Sequence, residues 1–162
     1  ILGYNGVINS ALMGLGIINE PITALNYNVG AIITTLAHAY APFAILPIFV
    51  ALEKIDRSFL EAGQDLGESA FNTFRRVTLP LAMPGVISAT LIVFIPTVGD
   101  YVTPNLVGGP EGKLVANLIQ LQYMKLDNYP LGSATAVSAM LLVAIVSLIF
   151  LFLNRRYLRG PK

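Results

Sequence analysis

The chain has 162 residues, of which 55% are hydrophobic and only 12% are charged, and its mean hydropathy is +0.70. Soluble domains usually carry about 25% charged residues, so this composition favours a membrane protein. A net charge of +1 without a basic patch argues against nucleic-acid binding, and the lack of cysteine excludes disulfides and thiolate metal sites.

Three apolar stretches are long enough to cross a bilayer, which takes roughly 20 residues. They run from about residue 29 to 52, from 79 to 98 and from 134 to 153. Core helices of a soluble protein are the alternative, but three such stretches leave too little polar surface to cover them in water. We therefore predict an all-α fold: a polytopic bundle of three membrane-spanning helices that forms a single domain over residues 1–162.

Two shorter segments have the character of interfacial helices. Residues 1–28 are apolar but interrupted by glycine, proline and asparagine, which favours a short interfacial or re-entrant helix; the end of a truncated span is the alternative. Residues 113–126 place Leu114, Leu118 and Leu121 at helical spacing between polar neighbours, which predicts an amphipathic helix at the interface. The start at Ile-Leu-Gly, without methionine, leads us to expect that this sequence begins in the middle of a longer protein.

Basic residues are concentrated in two segments, which hold eight of the ten lysines and arginines. These eight are Lys54, Arg57, Arg75 and Arg76 in the loop 53–78, and Arg155, Arg156, Arg159 and Lys162 in the tail. Because cytoplasmic loops carry the excess of positive charge, we expect this loop and the C-terminus to be cytoplasmic. Residues 1–28 and 99–133 would then face outward.

The first half of this loop predicts a short capped helix. Ser58-Phe59-Leu60-Glu61 has the pattern of a capping box, with Ser58 as N-cap and Glu61 at N3. The helix is predicted to run to about Leu66. Gly67 suits the left-handed residue that ends a helix.

The second half predicts another short helix, from Ser69 to about Val77, with Pro80 and Pro84 at the entry to the next span. Two short helices joined at a glycine would form a compact knob with apolar anchors. These anchors are Phe59, Leu60, Ala62, Leu66, Phe71 and Phe74. A connecting loop is the plain interpretation, but a loop of 26 residues with its own capped helices usually has a function, such as docking a partner.

This segment resembles the EAA loop of ABC importer permeases. The residues that carry the resemblance are Glu61-Ala62-Gly63, Gly67, Val77-Thr78-Leu79-Pro80 and Pro84-Gly85. Gly63 replaces the third residue of the motif, an alanine, and we expect it to loosen the helix without removing the contact. The stretches LEAGQDLGES, FRRVTLPLAMPGVI, LIVFIPTVGDYVTPNLVGG and NLIQLQY are similar to the spermidine/putrescine branch of the family.

The resemblance implies a type I, MetI-like permease of the bacterial inner membrane, of which this chain would be roughly the C-terminal half. It implies that the loop 53–80 contains the coupling helix that docks on an ATPase. The implied coupling residues are Ser58, Phe59, Leu60, Glu61, Ala62, Gly63, Asp65, Leu66, Gly67, Phe71, Phe74, Leu79 and Pro80. A rigid knob at 58–76 would act as the lever.

The implied partners are ABC ATPase subunits, a second permease subunit, identical or homologous, a periplasmic or lipid-anchored substrate-binding protein, and membrane lipid. ATP would be bound and hydrolysed by the partner, which leaves this subunit without a cofactor, a metal or catalytic residues. Residues 108–113 (GGPEGK) accordingly lack the spacing of a phosphate-binding loop.

Three residues are candidates for the solute pathway: Asp100, Tyr101 and His38. A carboxylate and an aromatic ring at the end of the second span could bind a cation such as a polyamine, while interface solvation is the plain interpretation of Asp100. His38 is more typical of helix packing. The resemblance favours a polyamine as solute, with iron, thiamine and phosphonate as alternatives.

A secondary transporter or channel half that needs no ATPase is a competing function, as is a membrane enzyme. A carrier would have no use for the loop motif. An enzyme would need polar residues clustered at one depth of the spans, which His38 alone does not supply.

Overall fold

The computed structural model describes residues 3–158, and all regular secondary structure within this range is helical. The α-helices are α1 (Val7–Gly14), α2 (Val29–Glu53), α3 (Arg57–Asp65), α4 (Ala70–Val98), α5 (Val102–Val107), α6 (Val115–Met124), α7 (Tyr129–Leu153) and α8 (Arg155–Leu158). A 3-10 turn covers Thr23–Leu25. Arg159 and Lys162 of the predicted basic tail lie outside the described residues.

The three predicted spans are confirmed as α2, α4 and α7, which have 25, 29 and 25 residues and the length and hydropathy to cross a bilayer. In the most apolar 18-residue segment of α2, only 6% is buried within the described chain, and the same is true of α7. The faces of these helices are therefore available to lipid or to other helices. Prolines lie inside α2 and α4, as membrane helices tolerate.

α7 begins five residues before the predicted start at 134, because a side-chain cap stabilises its first turn. The Oδ1 atom of Asn128 accepts a hydrogen bond from the amide of Leu131 at 3.3 Å. Pro130 in this turn loses no helical bond, since the first amides of a helix have no partner within it.

The chain divides into two compact units, of which the first comprises the residues up to Ala39 together with Thr97–Met140. In it, the predicted short helices appear as α1 and α6. The buried side chain of Asn9 fixes the residues after α1, because it accepts a hydrogen bond from the amide of Ile22 at 2.9 Å. Asn117 does the same for α6 by accepting from the amide of Leu114 at 2.9 Å.

The second unit comprises Tyr40–Pro96 and the residues from Leu141 onward. In it, α2 and α4 approach closely at Gly85, which is buried. A Cβ atom built on Gly85 would lie 2.6 Å from the carbonyl oxygen of Pro47 and in contact with the Cβ of Ala51. The two helices therefore cross at a distance that only glycine permits.

Candidate functional site

The helix predicted in the 53–78 loop is present as α3, but its N-cap is Asp56 and not Ser58. The Oδ1 atom of Asp56 accepts a hydrogen bond from the amide of Ser58 at 2.9 Å, and Ser58 is the second residue of the helix. The predicted capping box with Glu61 is therefore wrong. Aspartate caps as well as serine, stands two residues earlier, and adds a negative charge at the positive end of the helix.

The environment of Asp56 keeps its carboxyl group ionised at neutral pH. Hydrogen bonds from the backbone amide and then the hydroxyl of Ser58 lower the pKa of Asp56 below its ordinary value of 3.8. An aspartate directly before a helical pattern is a signal for an N-cap, but the capping-box pattern that begins two residues later, at Ser58, obscured it.

The predicted end of the helix is confirmed. Gly67 has a φ of +78°, in the left-handed region, and follows the C-cap residue Leu66. The amide of Gly67 donates to the carbonyl of Gln64 at 2.8 Å, and the amide of Glu68 donates to the carbonyl of Gly63 at 3.1 Å. These are the two bonds of a Schellman motif, which fixes the direction in which the chain leaves α3.

Ser69 caps the next helix as predicted, with its hydroxyl accepting from the amide of Asn72 at 3.3 Å. The predicted end near Val77 is wrong, because α4 continues without a break through Pro80 into the span. A π turn at Phe74–Thr78 interrupts the α-helical pattern without ending the helix. A proline in a membrane helix removes one backbone bond, which is not enough to end it.

α3 packs against the start of α4 through Gly63 and Thr73, both of which are buried. A Cβ atom on Gly63 would lie 3.1 Å from Cγ2 and 3.2 Å from Oγ1 of Thr73. Gly63, the departure from the family motif, therefore lies inside a regular helix and in contact with Thr73 of α4.

An ion pair closes the turn between the two helices. The carboxylate of Glu68 contacts the guanidinium of Arg76, which lies in the π turn. The Arg76 side chain is 70% exposed, so the pair contributes about 0–1 kcal/mol at most. We define the knob as residues 56–78, from the cap of α3 to the end of the π turn.

The apolar side chains of the knob are largely exposed and do not form a core of their own. Leu66 is 85% exposed and Phe71 is 70% exposed, and Phe59 and Phe74 are also exposed. Leu60 is half-buried. The knob is held by its caps and by the contact of Gly63 with Thr73, and its apolar side chains are left free to contact another molecule.

A disulfide between cysteines at positions 63 and 73 should form readily. The Cβ atoms would be 3.7 Å apart, within the range of disulfides, and the chain has no cysteine of its own to interfere. We expect Gly63→Cys with Thr73→Cys to lose free thiols on mild oxidation, measured by maleimide labelling. Gly67→Cys with Thr73→Cys is the control and should stay reduced, since no described atom lies within 4 Å of a Cβ at Gly67. Equal oxidation of the two pairs would contradict the packing.

The carboxylate of Asp100, a predicted pathway residue, accepts hydrogen bonds from the first two residues of α5, one position before the N-cap residue Tyr101. It accepts hydrogen bonds from the amide of Val102 at 2.8 Å, the amide of Thr103 at 3.1 Å and the hydroxyl of Thr103 at 2.6 Å. Burial acts to raise the pKa of Asp100, but these hydrogen bonds together lower it below 3.8. Tyr101 is 42% exposed, and its carbonyl accepts from the side chain of Asn117.

His38 lies on α2 and lines a cavity of about 520 Å³ in the first unit. The cavity also contacts Asn26, Thr34 and Thr35, and its remaining lining residues are apolar or glycine. Asp100 and Tyr101 are not among the described residues that line it. The structure therefore does not bring the three predicted pathway residues together in this cavity.

The described residues form three helices that can span a membrane, several short helices and the knob, which together are typical of a polytopic membrane subunit. Residues 8–159 match the family described as "Binding-protein-dependent transport system inner membrane component". The chain therefore belongs to this family, which confirms the resemblance found in its loop and the all-α membrane fold. The family is described as an inner-membrane component of transport systems.

Individual relatives support the same assignment. The chain is 38% identical over 154 residues to the spermidine/putrescine transport system permease protein PotB of Haemophilus influenzae, covering 95% of this chain and 54% of the relative. It is 34% identical over 149 residues to PotB of Escherichia coli, covering 92% and 54%. The inner membrane ABC transporter permease protein YdcU of Escherichia coli is 38% identical over 108 residues, covering 67% and 34%. The chain thus spans about half the length of the PotB relatives.

Proposed function

We propose that this chain is part of the permease subunit of an ATP-driven importer, and that an ATPase subunit acts on it through the knob. The observation that carries this proposal is the knob itself: a capped, glycine-ended helix with exposed Leu66 and Phe71 at its turn. Exposed apolar groups of this kind are typical of a surface that a partner covers.

The connections of the knob make it suitable as a lever. Three residues separate the end of α2 at Glu53 from α3, and the knob's last residues are already part of α4. A force on the knob therefore reaches two membrane helices without passing through a long flexible segment. The excess of basic residues in this loop supports its placement in the cytoplasm, where ATP is available.

The remaining partners follow from this role. ATP would be bound and hydrolysed by ABC ATPase subunits, so the permease would contribute movement and a pathway but no cofactor and no catalytic residue. A second permease subunit, identical or homologous, would complete the pathway within the lipid. A substrate-binding protein would deliver the solute.

We propose a polyamine as the solute, because the relatives named above include spermidine/putrescine permeases. Asp100 stays ionised at neutral pH and could attract a cation, although its oxygens are already hydrogen-bonded within the chain. His38 would contribute a polar group to a cavity that is otherwise mainly apolar. Uptake of iron, thiamine or phosphonate in place of a polyamine would overturn the solute assignment and leave the lever role unaffected.

The docking role is tested by replacing the two most exposed apolar residues of the knob. Leu66→Ser with Phe71→Ser should reduce co-purification of the ATPase, and solute uptake, about tenfold or more, because apolar anchors dominate interface energies. The full-length subunit should be used, expressed with its transport partners in membranes. Leu106→Ser is a control, since Leu106 is 67% exposed on α5, outside the knob. Unchanged ATPase binding by the double variant would refute the proposal.

A further inference from the structure

α4 makes two close contacts within the second unit, and its π turn lies between them. At Thr73, the residue immediately before the π turn, it contacts Gly63 of α3. At Gly85, after the π turn, it contacts Pro47 and Ala51 of α2. Both contacts depend on glycine, and both leave little room for α4 to rotate.

The π turn decides whether these two contacts lie on the same side of α4. Thr73 and Gly85 are twelve residues apart. In a continuous α-helix, at about 100° per residue, they would point about 120° apart. A π turn has i→i+5 hydrogen bonding and accommodates one additional residue in one turn. The amide of Leu79 donates to the carbonyl of Phe74 in this way. Eleven α-helical steps then remain, which leaves the two residues only about 20° apart.

The connection between α2 and α3 requires this alignment. Only residues 54–56 join the two helices, so α3 cannot move far around α4 while α2 stays at Gly85. An α-helical register over the same twelve residues would force one of the two contacts to break. Within the π turn itself, Phe74, Arg75 and Arg76 are exposed, and Val77 and Thr78 are half-buried.

We infer that the π turn at Phe74–Thr78 is the positioning element that sets where α3, the first helix of the knob, lies relative to α2 around the axis of α4. The π turn places the residue that contacts α3 and the residue that contacts α2 on one face of α4. A force on the knob then moves both spans together. That this alignment serves transport rests on the proposed function, whereas the alignment itself follows from the contacts within the chain.

Two changes of length test the inference in the full-length complex. Deleting Arg75 places the two contact residues eleven positions apart, a separation that a regular α-helix aligns within about 20°, so coupling should be retained within about twofold. Inserting alanine after Thr78 rotates the contacts about 100° further apart. We expect the insertion to raise the ATP hydrolysed per solute transported about tenfold, while the ATPase still co-purifies and the amount of subunit in the membrane stays unchanged. The two changes combined restore the residue count and should restore coupling.

The alignment also has a readout that does not depend on transport. A cysteine in place of Thr73 should be protected from a water-soluble maleimide in the native register and in the deletion variant, since this position is 5% exposed. The insertion should increase its labelling rate about tenfold, because α3 can no longer remain packed on it. Arg75→Ala controls for the lost charge and should behave like the unaltered protein.

Each outcome is decisive. Equal coupling and equal labelling of the insertion and deletion variants would overturn the inference, as would loss of coupling in the deletion variant alone. If the unaltered complex does not bind an ATPase, the proposed function is wrong. The labelling rates of the cysteine at position 73 then still show whether the π turn aligns the two contacts on α4.

Discussion

Replacing Gly85 with alanine should destabilise the subunit, although the same change in a helix normally stabilises. Alanine gains about 0.5–1 kcal/mol over glycine in a helix interior, because glycine loses more backbone freedom on folding. Here the added methyl group would lie 2.6 Å from the carbonyl oxygen of Pro47 and 3.3 Å from the Cα of Ile48. These are backbone atoms that no side-chain rotation can move, so overpacking of about 1–3 kcal/mol or more should prevail.

The thermal stability of the full-length subunit in detergent measures this effect. It is determined by heating samples and then measuring, by size-exclusion chromatography, how much of the subunit remains intact. Ser88→Thr is the matched control, since it adds a methyl group to an exposed position of the same helix. Adding Ala51→Gly to Gly85→Ala should recover only part of the loss, because the clash with Pro47 persists. A gain in stability with Gly85→Ala would show that the two helices are not in this contact.

Valine at position 67 should uncouple transport, whereas asparagine should be tolerated. The φ of +78° at Gly67 is disfavoured for residues with a Cβ by about 1–2 kcal/mol, and most strongly for β-branched ones, while asparagine adopts it more readily. No described atom lies within 4 Å of a Cβ at this position, so the expected effect within the chain comes from backbone conformation and not from bulk. A cost of this size reduces the population of the ordered turn about five- to thirtyfold.

Solute uptake, normalised to the amount of subunit in the membrane, measures this effect. Gly67→Trp separates the two sources of constraint, because it adds bulk as well as conformational strain. Loss of uptake with tryptophan but not valine would mean that a partner approaches the turn closely. Normal uptake by both variants would contradict a role of this turn in coupling.

Features that depend on nearby residues were predicted well. The spans follow from apolar runs, the turn at Gly67 from the left-handed preference of glycine at a helix end, and the cap at Ser69 from its hydroxyl. The cap of α3 was predicted two residues late, because the sequence offers Asp56 and Ser58 and both residues can cap.

The sequence by itself therefore determined that this chain is a helical membrane component with an EAA-type loop and with three spans among its described residues. Periodicity, caps and motifs are properties of a few neighbouring residues. Only the tertiary structure showed that Gly63 meets Thr73, that Gly85 meets Pro47, and that a π turn lies between these contacts. Such contacts join residues that are separated by ten or more positions in the chain. The π turn allows both contacts to form at once, and no local pattern of residues predicts such a turn.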